Sequence, residues 1–155
     1  NLNFPYNEID GTINQIEKWV ELGLLEGNPL FSKLPPSINY EDPHSGSVDE
    51  RARAWLDVNC ANCHQLGGPA ETSGLFLEFE QLNPKSLGIM KPPIAAGRGA
   101  GNHKYNIVPG HPEKSIMVYR INSTDPGIMM PELGRKLIHK EGLALIRQWI
   151  KEMNP

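Results

Sequence analysis

The chain has little cysteine, no long apolar run and no excess of basic charge, and each shortage excludes a class of protein. Its 155 residues include two cysteines, so a network of disulfides cannot hold the fold together. No stretch approaches the roughly 18 apolar residues that a membrane-spanning helix needs. Acidic and basic residues are mixed, with a net charge of −3, and form no basic stripe. We therefore expect neither a transmembrane segment in this chain nor a nucleic-acid partner.

Aromatic residues make up only 7% of the chain, whereas it holds 14 prolines and 15 glycines. Such a composition predicts a mainly α-helical domain with few helices, long Gly/Pro-rich loops and a thin core. A chain of this length has room for one such core. A covalently held apolar cofactor would add buried surface that the side chains lack.

Residues 1–46 are predicted to form an N-terminal helix followed by a proline-rich connector. Apolar residues recur at helical spacing over residues 10–25, and glycines at 23 and 27 provide a stop. The connector, residues 27–46, holds four prolines. Because this helix is similar to the last one in the chain, we expect residues 1–46 to be the tail of a preceding module and residues 47–155 to be a domain of their own. The chain opens without a secretion signal and is expected to be a piece of something longer.

Three helices are predicted within residues 47–155. The first begins at a capping box formed by Ser47 and Glu50, and it leads into both cysteines. The second covers residues 113–122, and the third, over residues 138–153, is expected to pack across the first. The side chains predicted to face inward are Val48, Ala52, Trp55, Leu56 and Asn59 in the first helix and Leu143, Ile146, Trp149 and Ile150 in the last.

Residues 65–111 form a long predicted loop region between the first two of these helices. A loop of this length is unusual in a compact domain unless it wraps a bound group. Within it, the alternating run at residues 75–79 and the extended run at residues 105–108 can pair as a small β-hairpin.

Residues 60–64, with the sequence Cys-Ala-Asn-Cys-His, carry both cysteines of the chain. The thiols of Cys60 and Cys63 can each add to one vinyl group of a single haem, and His64 directly afterwards is placed to bind the iron. We therefore predict one covalently bound haem c held by these three residues. The other ring nitrogen of His64 is expected to donate to a backbone carbonyl in the turn at residues 67–69.

Two other uses of the cysteine pair are less favoured but stay open. A thioredoxin-like redox pair lies at a strand-to-helix turn, whereas this pair ends a predicted helix. A structural zinc ion would need two of the remaining histidines, and no second pair of ligands has the spacing of a zinc finger. Those histidines are His44, His103, His111 and His139.

The sixth position of a haem iron decides what the haem can do. Met130 precedes Pro131 in a loop bounded by glycine and proline, and we predict that Met130 is the sixth ligand. Met129 and His139 are the alternatives, with core packing and helix capping as their ordinary roles. A thioether ligand raises the reduction potential and keeps oxygen and peroxide off the metal. An open or displaceable sixth position would instead indicate a haem enzyme or a gas sensor.

These features resemble class I-type cytochromes c. The points of resemblance are the pentapeptide at residues 60–64 after the domain's first helix, the Met130-Pro131 step in a later loop and the closing amphipathic helix. Residues 51–59, 107–115 and 130–134 also resemble the cytochrome modules appended to large secreted bacterial proteins. The resemblance implies a cytochrome c-like helical fold around one covalent haem.

The same resemblance implies a function. Such modules carry single electrons to or from a redox enzyme in the same chain or in a partner protein, for example a carbohydrate-active one, and do not themselves catalyse a reaction. It also implies a periplasmic or extracellular location. Arg98 and Tyr105 are candidates for hydrogen bonds to a haem propionate.

Overall fold

The computed structural model describes residues 5–8, 11–26 and 37–154. The chain divides into two compact units, Asn1–Ile38 and Asn39–Pro155. The described residues are mainly helical, with two short strands, which confirms the predicted class at that level. Among these residues no helix is both long enough and apolar enough to cross a bilayer.

In the first unit, a strand β1 (Pro5–Glu8) pairs antiparallel with β2 (Gly11–Asn14), and a helix α1 (Gln15–Glu21) follows directly. The helix predicted over residues 10–25 is therefore too long at both ends. The side chain of Asn14 accepts two amide hydrogens of the first helical turn, so the helix begins after it. The β-branched residues just before Asn14 favour a strand instead. Residues 27–36 of the predicted connector lie outside the described residues.

The second unit contains four helices: α2 (Val48–Leu56), α3 (Pro84–Leu87), α4 (Ile116–Ile121) and α5 (Lys140–Glu152). The capping box predicted before α2 is present, with the side chains and amides of Ser47 and Glu50 bonded reciprocally.

The helix α4 starts three residues later than predicted. Residues Pro112–Lys114 form a separate 3₁₀ turn, and the buried side chain of Ser115 lies between the two segments. Its hydroxyl donates to the carbonyl of His111 at 3.0 Å and accepts from the amide of Val108 at 2.9 Å. These bonds hold a bend at Ser115, so the helix begins only afterwards.

The helices α2 and α5 pack against each other and form the centre of the core, as predicted. Two tryptophans connect the two helices through side-chain hydrogen bonds. The Trp55 Nε1 group donates to His139 Nδ1 at 3.0 Å, and the Trp149 Nε1 group donates to Asp49 Oδ1 at 2.7 Å. All four residues predicted to face inward from α5 are buried. Of those predicted for the first helix, Ala52, Trp55 and Leu56 are buried, Val48 is partly buried against the core, and Asn59 is half-buried and lies beyond the end of α2.

The predicted hairpin between residues 75–79 and 105–108 is not formed. The amides of the first run are bonded elsewhere: Leu77 donates to the carbonyl of His64 at 2.8 Å and Phe76 to that of Ser86 at 2.9 Å. The second run instead makes two isolated parallel bridges, Ile89 with Ile107 and Tyr105 with Ser115. Alternation in the sequence marked these runs as extended, but it carried no information about which backbone each would bond.

The segment just before α2 is attached to the second unit. The Arg51 guanidinium donates to the carbonyl of Tyr40 from Nε at 3.1 Å and from Nη2 at 2.9 Å. The ring of Tyr40 packs on the hydrophobic core and meets His139 edge-on. The two compact units accordingly divide at residues 38 and 39, eight residues before the predicted boundary at 46.

Candidate haem-attachment site

The helix α2 delivers the cysteine motif through one wider turn. Residues Asp57–Ala61 continue α2 as a π-helical turn that contains Cys60, a form often found where a helix serves a functional site. The carbonyl of Cys60 then accepts the amides of Cys63 at 3.1 Å and of His64 at 2.9 Å. The chain therefore coils tightly through residues 60–64, and both thiols and the imidazole project from one short turn.

This turn is fastened to the loop that follows it. The carbonyl of Cys63 accepts the amide of Ala70 at 3.0 Å, and the carbonyl of His64 accepts that of Leu77 at 2.8 Å. Gly68 lies so close that a Cβ atom built on it would be 2.5 Å from the Cys63 carbonyl oxygen. The loop thus packs directly against the backbone of the motif.

The His64 ring is half-buried and held by the loop segment at residues 73–75. Its Nδ1 atom lies 3.2 Å from the hydroxyl of Ser73. Burial lowers the pKa of His64, the positive charge of Arg120 lowers it further, and a hydrogen bond with the backbone of Leu75 opposes both. The prediction that a backbone carbonyl at residues 67–69 accepts from this ring is therefore wrong, because the ring contacts Ser73 and the backbone of Leu75 instead.

This environment favours a neutral imidazole, which is the form that binds metals. Because Nδ1 faces Ser73, the nitrogen on the opposite side of the ring, Nε2, is the one that a metal would meet.

The two thiols differ in exposure, and neither is in a disulfide. Cys63 is exposed and Cys60 is half-buried; burial of the Cys60 thiol, with a smaller contribution from the neighbouring Cys63, raises the pKa of Cys60 to about 12. Catalytic and redox thiols are activated by a lowered pKa, so Cys60 lacks the property that a thioredoxin-like pair requires.

The loop that carries Met129 and Met130 is tied to the end of α4. The Met130 amide donates to the carbonyl of Arg120 at 3.2 Å, whereas the Met129 amide donates to that of Asp125 at 2.8 Å. The Arg120 side chain in turn donates from Nε to the carbonyl of Ile128 at 2.8 Å. Both methionine side chains are half-buried.

Arg120 connects this loop with the cysteine motif. It holds the backbone of Met130 and also lies close enough to His64 to lower the pKa of that residue. Arg120 is therefore bonded to the backbone of one predicted axial ligand and lowers the pKa of the other. The sequence pattern gave no indication of this role for Arg120.

His139, the histidine considered as an alternative ligand, is hydrogen-bonded to a core tryptophan. His139 precedes the first residue of α5, and its Nδ1 accepts the hydrogen of Trp55 Nε1. Among the other histidines, the ring of His103 packs edge-on against Tyr119, and His111 Nδ1 lies 3.1 Å from Glu113 Oε1. Within the part of the chain that the structure describes, no group of three or more His, Cys, Asp or Glu side chains is arranged to hold a metal ion.

Of the two residues offered for a propionate, the Arg98 side chain has another partner. Arg98 Nη2 lies 2.7 Å from Asp125 Oδ1 in an exposed ion pair. Tyr105 is half-buried and pairs through its backbone with Ser115. Comparison of the chain with protein-family models, with curated proteins and with solved structures found no match.

The donor set nevertheless fits a covalently attached haem. A porphyrin supplies four of six iron ligands, so the protein needs to supply only one or two, and a cluster of three side chains is not required. The chain offers two free thiols three positions apart, an imidazole whose pKa is lowered by burial and by Arg120, and a methionine loop whose backbone is bonded to Arg120. Cys60, Cys63, His64 and Met130 would hold the group.

Proposed function

We propose that this chain carries a monohaem c-type cytochrome domain whose work is single-electron transfer. The observation that carries the proposal is the turn at residues 60–64, in which two free thiols and a neutral imidazole project from a backbone that Ala70 and Leu77 hold in place. When bound, the haem iron supplies a one-electron redox couple. The residues of the chain hold, orient and shield that group.

Each residue of the motif has its own part in this proposal. Cys60 and Cys63 fasten the group by two thioether bonds, so it cannot dissociate during redox cycling. His64 binds the iron through Nε2, while Ser73 and the Leu75 backbone keep its ring in one orientation. The raised pKa of Cys60 disfavours its thiolate, which argues against a role in thiol exchange.

Met130 is proposed as the second axial ligand. Its backbone is bonded to Arg120, which also lowers the pKa of His64, whereas the backbone of Met129 is bonded to Asp125. A thioether in this position favours the reduced iron and excludes small molecules from the metal. The domain would then pass electrons without catalysing a reaction of its own.

The electron partner is proposed to be a redox enzyme, in the same polypeptide or in a separate protein, with a carbohydrate-active enzyme as one example. The location proposed for this domain is the periplasm or the extracellular space. Both proposals rest on the resemblance of residues 47–153 to secreted cytochrome modules.

Ligation by Met130 can be tested by absorption spectroscopy of the haem-loaded ferric protein. The expected spectrum is low-spin, with the weak long-wavelength band of iron–sulfur charge transfer. Met130→Ala should abolish that band, and the matched control Met129→Ala should keep it. The opposite pattern would transfer the ligand to Met129. A high-spin spectrum of the unsubstituted protein, with rapid binding of carbon monoxide, would replace electron transfer by an enzyme or gas-sensor function.

A further inference from the structure

Ser73 makes two hydrogen-bonding contacts with one hydroxyl group. It lies at the end of a short 3₁₀ turn, Glu71–Ser73, and is half-buried. Its Oγ atom lies 3.2 Å from His64 Nδ1 and accepts the amide hydrogen of Leu75, also at 3.2 Å. The same side chain therefore touches the imidazole and orders the residue whose backbone also bonds that imidazole.

Ser73 is itself fixed on both sides. Its amide donates to the carbonyl of Ala70 at 3.0 Å, and its carbonyl accepts the ammonium group of Lys91 at 2.9 Å. The chain continues into Gly74, whose amide donates to the carbonyl of Glu71 at 2.8 Å. Because these bonds hold the backbone, the hydroxyl presents a fixed contact to the ring.

The chemistry of an imidazole decides the direction of this hydrogen bond. A neutral ring that binds a metal through Nε2 carries its hydrogen on Nδ1, so Nδ1 must donate. A serine oxygen has two lone pairs, one of which takes the Leu75 amide and the other of which can take the Nδ1 hydrogen. Such a bond makes the imidazole a stronger electron donor to the metal.

We propose that Ser73 is a positioning residue that sets the orientation and the electron-donating strength of His64 through its hydroxyl group. This inference rests on the proposed function, since His64 must be an axial ligand for it to hold. The hydroxyl of Ser73 is a second acceptor beside the Leu75 backbone, which also accepts a hydrogen bond from the ring, and a side-chain acceptor can be altered by substitution.

The test uses the haem-loaded chain and three variants of Ser73. Ser73→Ala removes the acceptor, so the ferric state loses stabilisation and the midpoint potential rises. Ser73→Thr keeps the hydroxyl and should keep the potential. Ser73→Asp provides a stronger acceptor and should lower the potential, with Thr72→Asp as the control that places the same charge on the exposed neighbouring residue.

A second readout is the Nδ1 hydrogen of His64 in NMR spectra of the ferrous protein. Loss of one hydrogen bond in Ser73→Ala should speed its exchange with water by roughly fivefold, and Ser73→Thr should restore the slow rate. A role limited to ordering the loop would move the potential in the same direction in Ser73→Ala and Ser73→Asp, and that result would overturn the inference.

The two proposals fail in different ways. If the unsubstituted chain gains no haem by mass spectrometry, the proposed function fails. If it gains haem, but the variants of Ser73 leave both the potential and the exchange rate unchanged, the function stands and the inference about Ser73 is wrong.

Discussion

At Gly68 the loop backbone lies so close to the carbonyl of Cys63 that a residue with a side chain would not fit there. A Cβ atom at this position would lie 2.5 Å from that oxygen. Gly68→Ala should therefore displace the turn and lower the free energy of unfolding of the haem-loaded protein by about 1–3 kcal/mol, as overpacked sites do. Denaturant unfolding followed by haem absorption measures this change.

The adjacent Gly67 supplies the control for that substitution. Nothing lies within 4 Å of a Cβ built on Gly67, although its φ of +74° makes alanine strained there. Gly67→Ala should lower stability through backbone strain, about 1 kcal/mol, without changing the spectrum of the haem. If Gly68→Ala is as stable as the unsubstituted protein, the close approach at Gly68 has no energetic importance.

The raised pKa of Cys60 predicts how the haem-free chain responds to alkali. The folded state holds the thiol protonated up to a pKa of about 12, against 9.0 for an ordinary cysteine. The unfolded chain therefore releases this proton first, so the contribution is intact below pH 9 and is lost as the pH rises towards 12. By pH 10 the loss should be about 1 kcal/mol.

Urea unfolding of the haem-free chain at pH 8 and pH 10 tests this linkage. Cys60→Ala should lose less stability between the two pH values than the unsubstituted chain. Cys63→Ala removes the exposed thiol and should behave like the unsubstituted chain. Equal losses in all three proteins would contradict the burial of Cys60.

The sequence predicted those residues of the candidate site that lie close together along the chain. It did not predict those that only the fold brings near them. Cys60, Cys63 and His64 lie within one pentapeptide, and its chemistry can be inferred from the sequence alone. Ser73 and Arg120 lie far from them along the chain, and each is an ordinary polar residue in its local context. The contact of Ser73 with His64 and the effect of Arg120 on the His64 pKa depend on the path of the loop and on the packing of α4, which no local pattern encodes.

The crossing of α2 and α5 depends on a glycine in the second helix. A Cβ atom on Gly142 would lie 2.2 Å from Trp55 Nε1 and 2.6 Å from His139 Nδ1. Alanine in a helix is normally more stable than glycine by about 1 kcal/mol. Here Gly142→Ala should reverse that sign and lower the free energy of unfolding by about 1–3 kcal/mol, because the helices must move apart.

Thermal unfolding monitored by circular dichroism measures this effect. Ala144→Gly, at an exposed position on the same helix, is the matched control and should follow the ordinary propensity of glycine. A stabilised Gly142→Ala protein would mean that the two helices do not approach as closely as the structure has them.

At the level of elements, strong periodicity was a reliable guide and weak alternation was not. The last helix, predicted over residues 138–153, is found at Lys140–Glu152 because its apolar face is continuous and is buried against α2. The hairpin predicted between residues 75–79 and 105–108 failed because strand partners are chosen by the fold. Leu77 bonds instead to the carbonyl of His64, so the first run serves the site and not a sheet.

On the scale of the whole molecule, the buried hydrophobic residues of the core cluster, counted over the residues that the structure describes, all lie in the second compact unit, Asn39–Pro155. A fragment of residues 39–155 should therefore unfold cooperatively on its own. A fragment of residues 47–155 lacks Tyr40, and with it two hydrogen bonds to Arg51 and a ring on the core. It should be less stable by roughly 1–3 kcal/mol.

Denaturant unfolding of the two fragments, both prepared with haem, compares them directly. Equal stability would show that residues 39–46 belong to the connector, as the sequence pattern suggested. A clear difference in favour of the longer fragment would place the functional boundary at residue 38.

Covalent attachment of haem to Cys60 and Cys63 is the claim on which the other proposals depend. The most direct measurement is the intact mass of the chain produced together with a bacterial cytochrome c maturation system. The account predicts a mass increased by one haem that survives denaturation in acid, and its absence when both cysteines are replaced by alanine. A colourless product with the mass of the bare polypeptide, under conditions in which a control cytochrome c is loaded, would contradict it.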